Sequence, residues 1–237
     1  MNVHGGQGSF AQSRAWRSQG RELDAGVPIA LEAGEGAQQP RAPQLPMLSS
    51  KIGYYADFVV YGTLLVALVT STLRGSRSDR LIWIAAAIAG LAGWTLVEYL
   101  LHRFVLHRVA LIAHLHHAHH AVPRAYLGTP TWASLPVLAG VFFVPLWRLL
   151  SLEVAFGAFS GIIAGWLWYG IVHHVIHHRR PRRLAVTLRV ASHRHLLHHS
   201  PYLSGNFGVT TAVWDRVFGT HISPRARAVS VAVQAPQ

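Results

Sequence analysis

Residues 98–120 read EYLLHRFVLHRVALIAHLHHAHH, and seven of them are histidine: His102, His107, His114, His116, His117, His119 and His120. The stretch begins where a long apolar run ends. Two further clusters follow, HHVIHH at 173–178 and HRHLLHH at 193–199. His116, His119 and His120 stand at i, i+3, i+4, which shares one face of a helix. His195, His198 and His199 repeat that spacing, and His173 and His177 stand at i, i+4. His102 and His107 are five apart, about 140° round an α-helix, so they converge only through a π-bulge or a helix end. His174 with His178 is an equally spaced rival to His173 with His177. His114, His117 and His193 break the pattern and read as neighbours of the site.

These clusters punctuate an apolar chain. Hydrophobic residues make up 51% of it and charged residues 13%, against roughly 25% charged in soluble domains. Four apolar runs suit membrane spans of about twenty residues: Tyr54–Leu73, Leu81–Leu101, Trp132–Leu150 and Leu152–Val172. The expected fold class is therefore all-α: an integral membrane protein of four transmembrane helices under a histidine-rich helical cap. Pro136 and Pro145 are expected to kink or shorten the third run, with a re-entrant pair as the alternative. The turn after it is expected to take in Arg148 to Glu153. Gly157, Gly161 and Gly165 recur every four residues in the last run, a period that lets membrane helices approach closely.

Four crossings place all three clusters on one side. Of the 21 basic residues, only Arg74, Arg77, Arg80 and Arg148 fall in the turns of the other side. Arg179, Arg180, Arg182 and Arg183 flank the fourth run. The positive-inside rule then predicts a cytoplasmic histidine cap. The formal charge of +12 sits largely beside apolar runs, which suits topology and anionic headgroups better than nucleic acid. Residues 1–50 and 222–237 lack a sustained hydrophobic period and read as disordered tails around a domain spanning 51–221.

The chain contains no cysteine, which excludes disulfides, zinc–thiolate sites and iron–sulfur clusters. Ten imidazoles are too many for one ion and suit two ions of five or six ligands, or two ions with supporting partners. Imidazole accepts zinc, copper, iron and nickel alike, so ligand type does not select the metal. Carboxylates are nearly absent from the clusters. Glu-x-x-His motifs and His-Glu-x-x-His are missing, which excludes a ferritin-like carboxylate centre and a Glu-assisted zinc hydrolase. Glu98 lies one turn before His102, and Asp215 follows the last cluster. Both are candidates for orienting a ligating imidazole from behind. A histidine-rich run is often a weak metal-binding tract, but three separate clusters with helical spacings argue for a built site. A metal transporter would place its ligands near the bilayer midplane, whereas these sit at helix ends.

EYLLHRFVLH, HHAHHAVP, HHVIHH and HLLHHSPYLSGNFGVTTAVWDRVFGT together resemble the fatty acid hydroxylase/sterol desaturase superfamily of integral-membrane oxygenases. The opening Glu-Tyr-x-x-His-Arg-Phe and Pro123, three residues after His120, are most similar to its fatty acyl 2-hydroxylase branch. The resemblance implies a dinuclear iron centre, with zinc possible in isolated protein, held by His102, His107, His116, His119, His120, His173, His177, His195, His198 and His199. It also implies oxygen as co-substrate, a lipid or fatty acyl substrate, hydroxylation by hydrogen abstraction and rebound, and electrons from a separate redox partner. Sterol or carotenoid oxidation within the superfamily is the alternative, and a metal transporter the more distant one. The segment after Pro123 reads Arg-Ala-Tyr, where the family pattern has an acidic residue.

Overall fold

The computed structural model describes residues 50–179, 185–200 and 203–223. Both expected tails fall outside this set apart from residues 50, 222 and 223, and so do Arg180, Arg182 and Arg183. Every regular element among the described residues is helical. Four of the helical rods are long and apolar enough to cross a membrane, and the chain is an integral membrane protein.

The first rod is α1, Lys51–Thr72, whose start is capped by Ser50 Oγ accepting the Gly53 N–H at 2.9 Å. A short turn leads to α2, Arg77–Leu100, opened by a capping box. Ser76 Oγ accepts the Asp79 N–H, and the Asp79 carboxylate accepts the Ser76 N–H. Satisfying these orphan donors fixes where the helix begins. The rod does not stop at Leu100 but widens into a π-helix, Leu101–Leu106, so the second span runs over 30 residues from Arg77 to Leu106. The short α3, Ala110–Ala121, follows outside the spans and ends two residues before Pro123.

The third rod is built of α4, Thr131–Leu138, a second π-helix over Ala139–Phe143, and α5, Val144–Leu149. Pro136 and Pro145 lack the N–H an α-helix needs, and the wider π-turn between them carries the chain onward. The rod is a single candidate span of 19 residues. The following turn is tighter than Arg148 to Glu153: only Leu150 and Ser151 separate α5 from α6, Leu152–His178. Ser151 accepts the Val154 N–H, and this single cap restarts the helix at once. α6 also runs six residues past the expected Val172. Hydropathy drops at the histidines, but helical geometry continues through them.

α6 is the hub of the bundle. In its most apolar stretch 44% of residues are buried, against 11% in each of the other three. It packs on α2 through the glycine stripe. A Cβ on Gly161 would lie 2.0 Å from the Ala87 carbonyl oxygen, and one on Gly90 of α2 would lie 2.0 Å from that of Ala158. Backbone thus meets backbone from both sides, the close approach that small residues permit. Tyr61, Leu68, Trp94, Leu138, Phe159, Ile162 and Ile163 fill the core between the rods. Outward-facing Val59, Val66, Ile88, Val137 and Val141 stay more than half exposed, as a lipid-facing surface requires.

The described cap is completed by α7, Val186–His198, and α8, Val213–Val217. A second apolar cluster of Val172, Ile176, Ala191 and Val209 seats α7 and the 203–212 segment on the end of α6. Tyr54, at the start of α1, meets His174, near the end of α6, at 3.1 Å. The first rod therefore begins at the histidine end.

Candidate metal centre

Four elements deliver the ten imidazoles. The π-helix carries His102 and faces His107 with the same side, so rings five residues apart stack at 5.3 Å and 18°. The wider turn supplies the convergence that an α-helix would deny. α3 carries His116, His119 and His120, the end of α6 carries His173 and His177, and α7 with its C-cap carries His195, His198 and His199.

The structure brings all ten together and divides them into two groups of five. His102, His107, His116, His120 and His198 form the first, and His119, His173, His177, His195 and His199 the second. Within each group one nitrogen per ring lies within 4.8 Å of the others. α3 and α7 serve both groups, because neighbouring positions on one helical face diverge enough to reach two centres. The rival pair faces elsewhere: His174 Nδ1 meets the Tyr54 hydroxyl, and His178 stacks on Tyr126 at 5.1 Å. His114, His117 and His193 are exposed and belong to neither group.

The donor set tests whether metal fits. His102 Nδ1 donates to the Phe207 carbonyl at 2.6 Å, and His198 Nδ1 to the Gly205 carbonyl at 2.8 Å. Each neutral ring therefore turns a bare Nε2 lone pair inward. His116 Nε2 lies 3.1 Å from the Nε2 atoms of His102, His107 and His120, while His107 Nε2 is 3.0 Å from that of His198. A ring nitrogen is either a donor or an acceptor. If His116 donates to His102, it cannot also accept from His120, and its contact with His107 is then left unmatched. Hydrogen bonds cannot satisfy all four contacts, whereas a cation among the nitrogens can. The second group repeats the pattern, with Nε2 separations of 3.1 Å for His119–His173, 2.9 Å for His177–His195 and 3.1 Å for His195–His199.

Electrostatics point the same way. Burial pushes the His107, His119 and His198 imidazoles down to about 4, with neighbouring histidines adding to the effect at His107 and His119. Burial first, then neighbouring imidazoles, drives His116, His195 and His199 further down. These rings are neutral at neutral pH, the form that ligates metal.

Glu98 and Asp215 do not stand directly behind a ring. Among the described contacts both grip backbone. Glu98, 3% exposed, accepts the Val209 N–H at 2.6 Å, the Thr210 N–H at 2.9 Å and the Thr210 hydroxyl at 2.5 Å. Asp215, 1% exposed, accepts the Phe207 N–H, the Gly208 N–H and the Thr220 hydroxyl, each at 2.8 Å. The segment they hold presents the carbonyls that fix His102 and His198. Sequence reasoning gave these carbonyls no role. Phe207 lies in a quoted motif, but its functional atom is main chain and carries no side-chain signature. Its ring also flanks His102, His107 and His198 at 5.4–5.9 Å. Asn206 likewise escaped notice: it holds the left-handed conformation (φ 54°), and its amide clamps Ile222 and Arg194.

A profile of the fatty acid hydroxylase family matches residues 87–220, from the middle of α2 through both histidine groups to the end of the cap. The chain belongs to the fatty acid hydroxylase family. It is 36% identical over 142 residues to the dihydroceramide fatty acyl 2-hydroxylase FAH2 of Arabidopsis thaliana, covering 55% of this chain and 58% of that one. It is 34% identical over 148 residues to the ceramide very long chain fatty acid hydroxylase SCS7 of Saccharomyces cerevisiae, covering 58% and 38%. With the fatty acid 2-hydroxylase of Rattus norvegicus the identity is 31% over 157 residues, covering 61% and 41%. The match thus spans under two thirds of each of these relatives. Among solved structures, full-length scs7p, in which only the hydroxylase domain is visible, superposes with a TM-score of 0.64 at 28% identity. That superposition covers 76% of this chain and 69% of the other.

Proposed function

We propose that this chain is a membrane-bound, oxygen-dependent lipid hydroxylase that inserts a hydroxyl at carbon 2 of a fatty acyl chain. The observation that carries the reading is the pair of five-imidazole groups whose nitrogen contacts hydrogen bonds alone cannot satisfy. His102, His107, His116, His120 and His198 would hold one iron, and His119, His173, His177, His195 and His199 the other. Bound there, the two ions would supply the redox chemistry that activates oxygen for insertion into a C–H bond. The balance is one methylene, O2, two electrons and two protons giving one alcohol and one water. The electrons come from a separate donor protein. The carbon-2 assignment draws on the similarity to fatty acyl 2-hydroxylases.

The chain's own residues prepare the site. Neutral imidazoles offer lone pairs without first releasing a proton. Buried His102, His116, His119, His177, His195 and His198 exclude bulk water. A small cavity lined by Tyr54, Pro123, Leu127, His119, His173 and His177 lies beside the second group. The excess of arginine around the fourth span supports a cytoplasmic face by the positive-inside rule, where a soluble or membrane-bound reductase would reach it.

The test is metal content and product formation on detergent-purified protein given a reductant, oxygen and ceramide or fatty acid. Two ions per chain and an acyl product one oxygen atom heavier at carbon 2 are the expected results. Less than one metal per chain after iron-replete expression, with no oxidised lipid, would sink the proposal. Zinc in place of iron would leave it standing, because imidazole sites accept both.

A further inference from the structure

The two histidine groups differ in what stands behind them. In the first, His102 and His198 are each locked by a backbone carbonyl, Phe207 O and Gly205 O. Those carbonyls belong to a segment that cannot drift. Glu98 takes three hydrogen bonds from Val209 and Thr210, and Asp215 takes two from Phe207 and Gly208. Thr220 closes the set on Asp215, and Asn206 ties the segment to Ile222. In the second group no ring nitrogen is backed by a carbonyl among the described residues, although Asn206 and Val209 bond Arg194, the neighbour of His195. The Nδ1 atoms of His195 and His199 are buried without a hydrogen-bond partner, so no hydrogen bond from a described residue sets the tautomer of these rings.

We infer that the two groups hold metal with unequal grip, and that Glu98 and Asp215 are positioning residues for the first group alone, acting through the 205–210 backbone on His102 and His198. The inference rests on the metal-centre reading above and deepens it. Backing hydrogen bonds to a ligating imidazole fix its tautomer and direction, and removing them typically costs about 10–100-fold in metal affinity. Zinc in the second group should exchange readily, and zinc in the first should exchange slowly.

The two carboxylates also make different demands on substitution. Glu98 Oε1 accepts both backbone N–H groups, while among the described residues Oε2 meets the Thr210 hydroxyl alone. In Glu98→Gln the amide oxygen can keep both N–H bonds and the NH2 can donate to the hydroxyl. Asp215 divides its N–H donors between its oxygens, Phe207 on Oδ1 and Gly208 on Oδ2. In Asp215→Asn one backbone N–H must face an NH2 group, donor against donor. The isosteric change is therefore tolerated at one position and disruptive at the other.

The experiment follows zinc release from the zinc-loaded full chain into excess chelator. Wild type should release two zincs per chain in two phases, and His195→Ala should remove the fast one. Asp215→Asn and Glu98→Leu should accelerate the slow phase by about 10–100-fold and leave the fast phase unchanged. Glu98→Gln should keep both phases. Thr210→Val, which removes one hydrogen bond and leaves both carboxylates in place, should accelerate the slow phase less. It decides the matter if Asp215→Asn does not assemble. Single-phase release of two zincs from wild type, equal acceleration of both phases, or unchanged rates in Thr210→Val and Glu98→Leu would overturn the inference alone. A wild type that takes up no zinc would overturn the metal-centre reading and this inference together.

Discussion

Between α2 and α6 the molecule is joined by what the side chains leave out, and between the cap and the bundle by what a buried carboxylate puts in. In the bundle, Gly90, Gly157 and Gly161 let main chain lie against main chain, and the gain is dispersion spread over many weak contacts. In the cap, Glu98 reaches from α2 to a segment more than a hundred residues later and holds it by three hydrogen bonds. A lipid-facing seam has no hydrophobic force to exploit, so it depends on shape. A seam beside a buried polar centre depends on satisfied donors and acceptors. The first kind fails by crowding and the second by a missing partner.

Crowding should have the largest effect. Gly161→Leu would drive a Cβ to 2.0 Å from the Ala87 carbonyl oxygen and 2.5 Å from the Leu91 nitrogen. No flexible side chain is there to yield, so the expected loss is on the order of 3 kcal/mol or more. It should appear as loss of monodisperse protein in detergent and of both metals together. Intact assembly would mean the two rods can part without cost. His116→Ala should then separate the regions: it removes the nitrogen with three Nε2 neighbours. Hydroxylation and one metal should be lost while helicity and the bundle's melting stay close to wild type.

Acid should act on the cap before the bundle. His107, His119 and His198 sit near 4 in the folded protein, below the ordinary histidine value of about 6.5. Between those values the unfolded chain binds more protons, so stability contributed by these groups is full above about 6.5 and is lost as pH falls toward 4. Metal-free protein should show cap unfolding, read as lower amide-exchange protection factors over 110–121 and 186–198, at pH 5 relative to pH 7.5. Bound zinc should delay it. A cap equally protected at both pH values without metal would contradict the depressed values. The smallest effect belongs to one of the bundle's polar links. Tyr61→Phe removes the 2.7 Å bond to Ser134 and should cost about 0.5–1 kcal/mol, a slight drop in melting temperature with metal content unchanged.

The bundle was the more legible region because its signals are periodic. Apolar runs located the four rods, and the four-residue glycine spacing marked the α2–α6 seam from one side. Gly90, its counterpart, carries no repeat and went unmarked. Helix ends were less legible. Val172 looked like a terminus because hydropathy falls there, yet α6 continues to His178, since backbone hydrogen bonding does not depend on side-chain polarity. In the cap, helical spacing marked eight of the seventeen histidines, with His174 and His178 an equally spaced rival to His173 and His177; His102 and His107 needed a π-bulge, and the set of ten that the structure gathers was the one the resemblance implied. The division into two fives was not legible, because it depends on where α3 and α7 lie between the others. The carboxylates were flagged for a contact they do not make: their partners are main-chain N–H groups, identical at every residue and separated from Glu98 by 111 and 112 positions.

The π-helix between Leu101 and Leu106 makes chain length, more than composition, the sensitive quantity at this corner. A π-turn holds one residue more than an α-turn needs, and such bulges are kept mostly where function requires them. Phe104 is 41% exposed and Val105 partly exposed, and both should accept many replacements. Deleting either would let the helix relax to α-geometry and bring His107 to a four-residue spacing, about 40° round from His102, where the rings still share a face. A deletion elsewhere in α2 has no spare residue to give up and would turn every ring beyond it by about 100°.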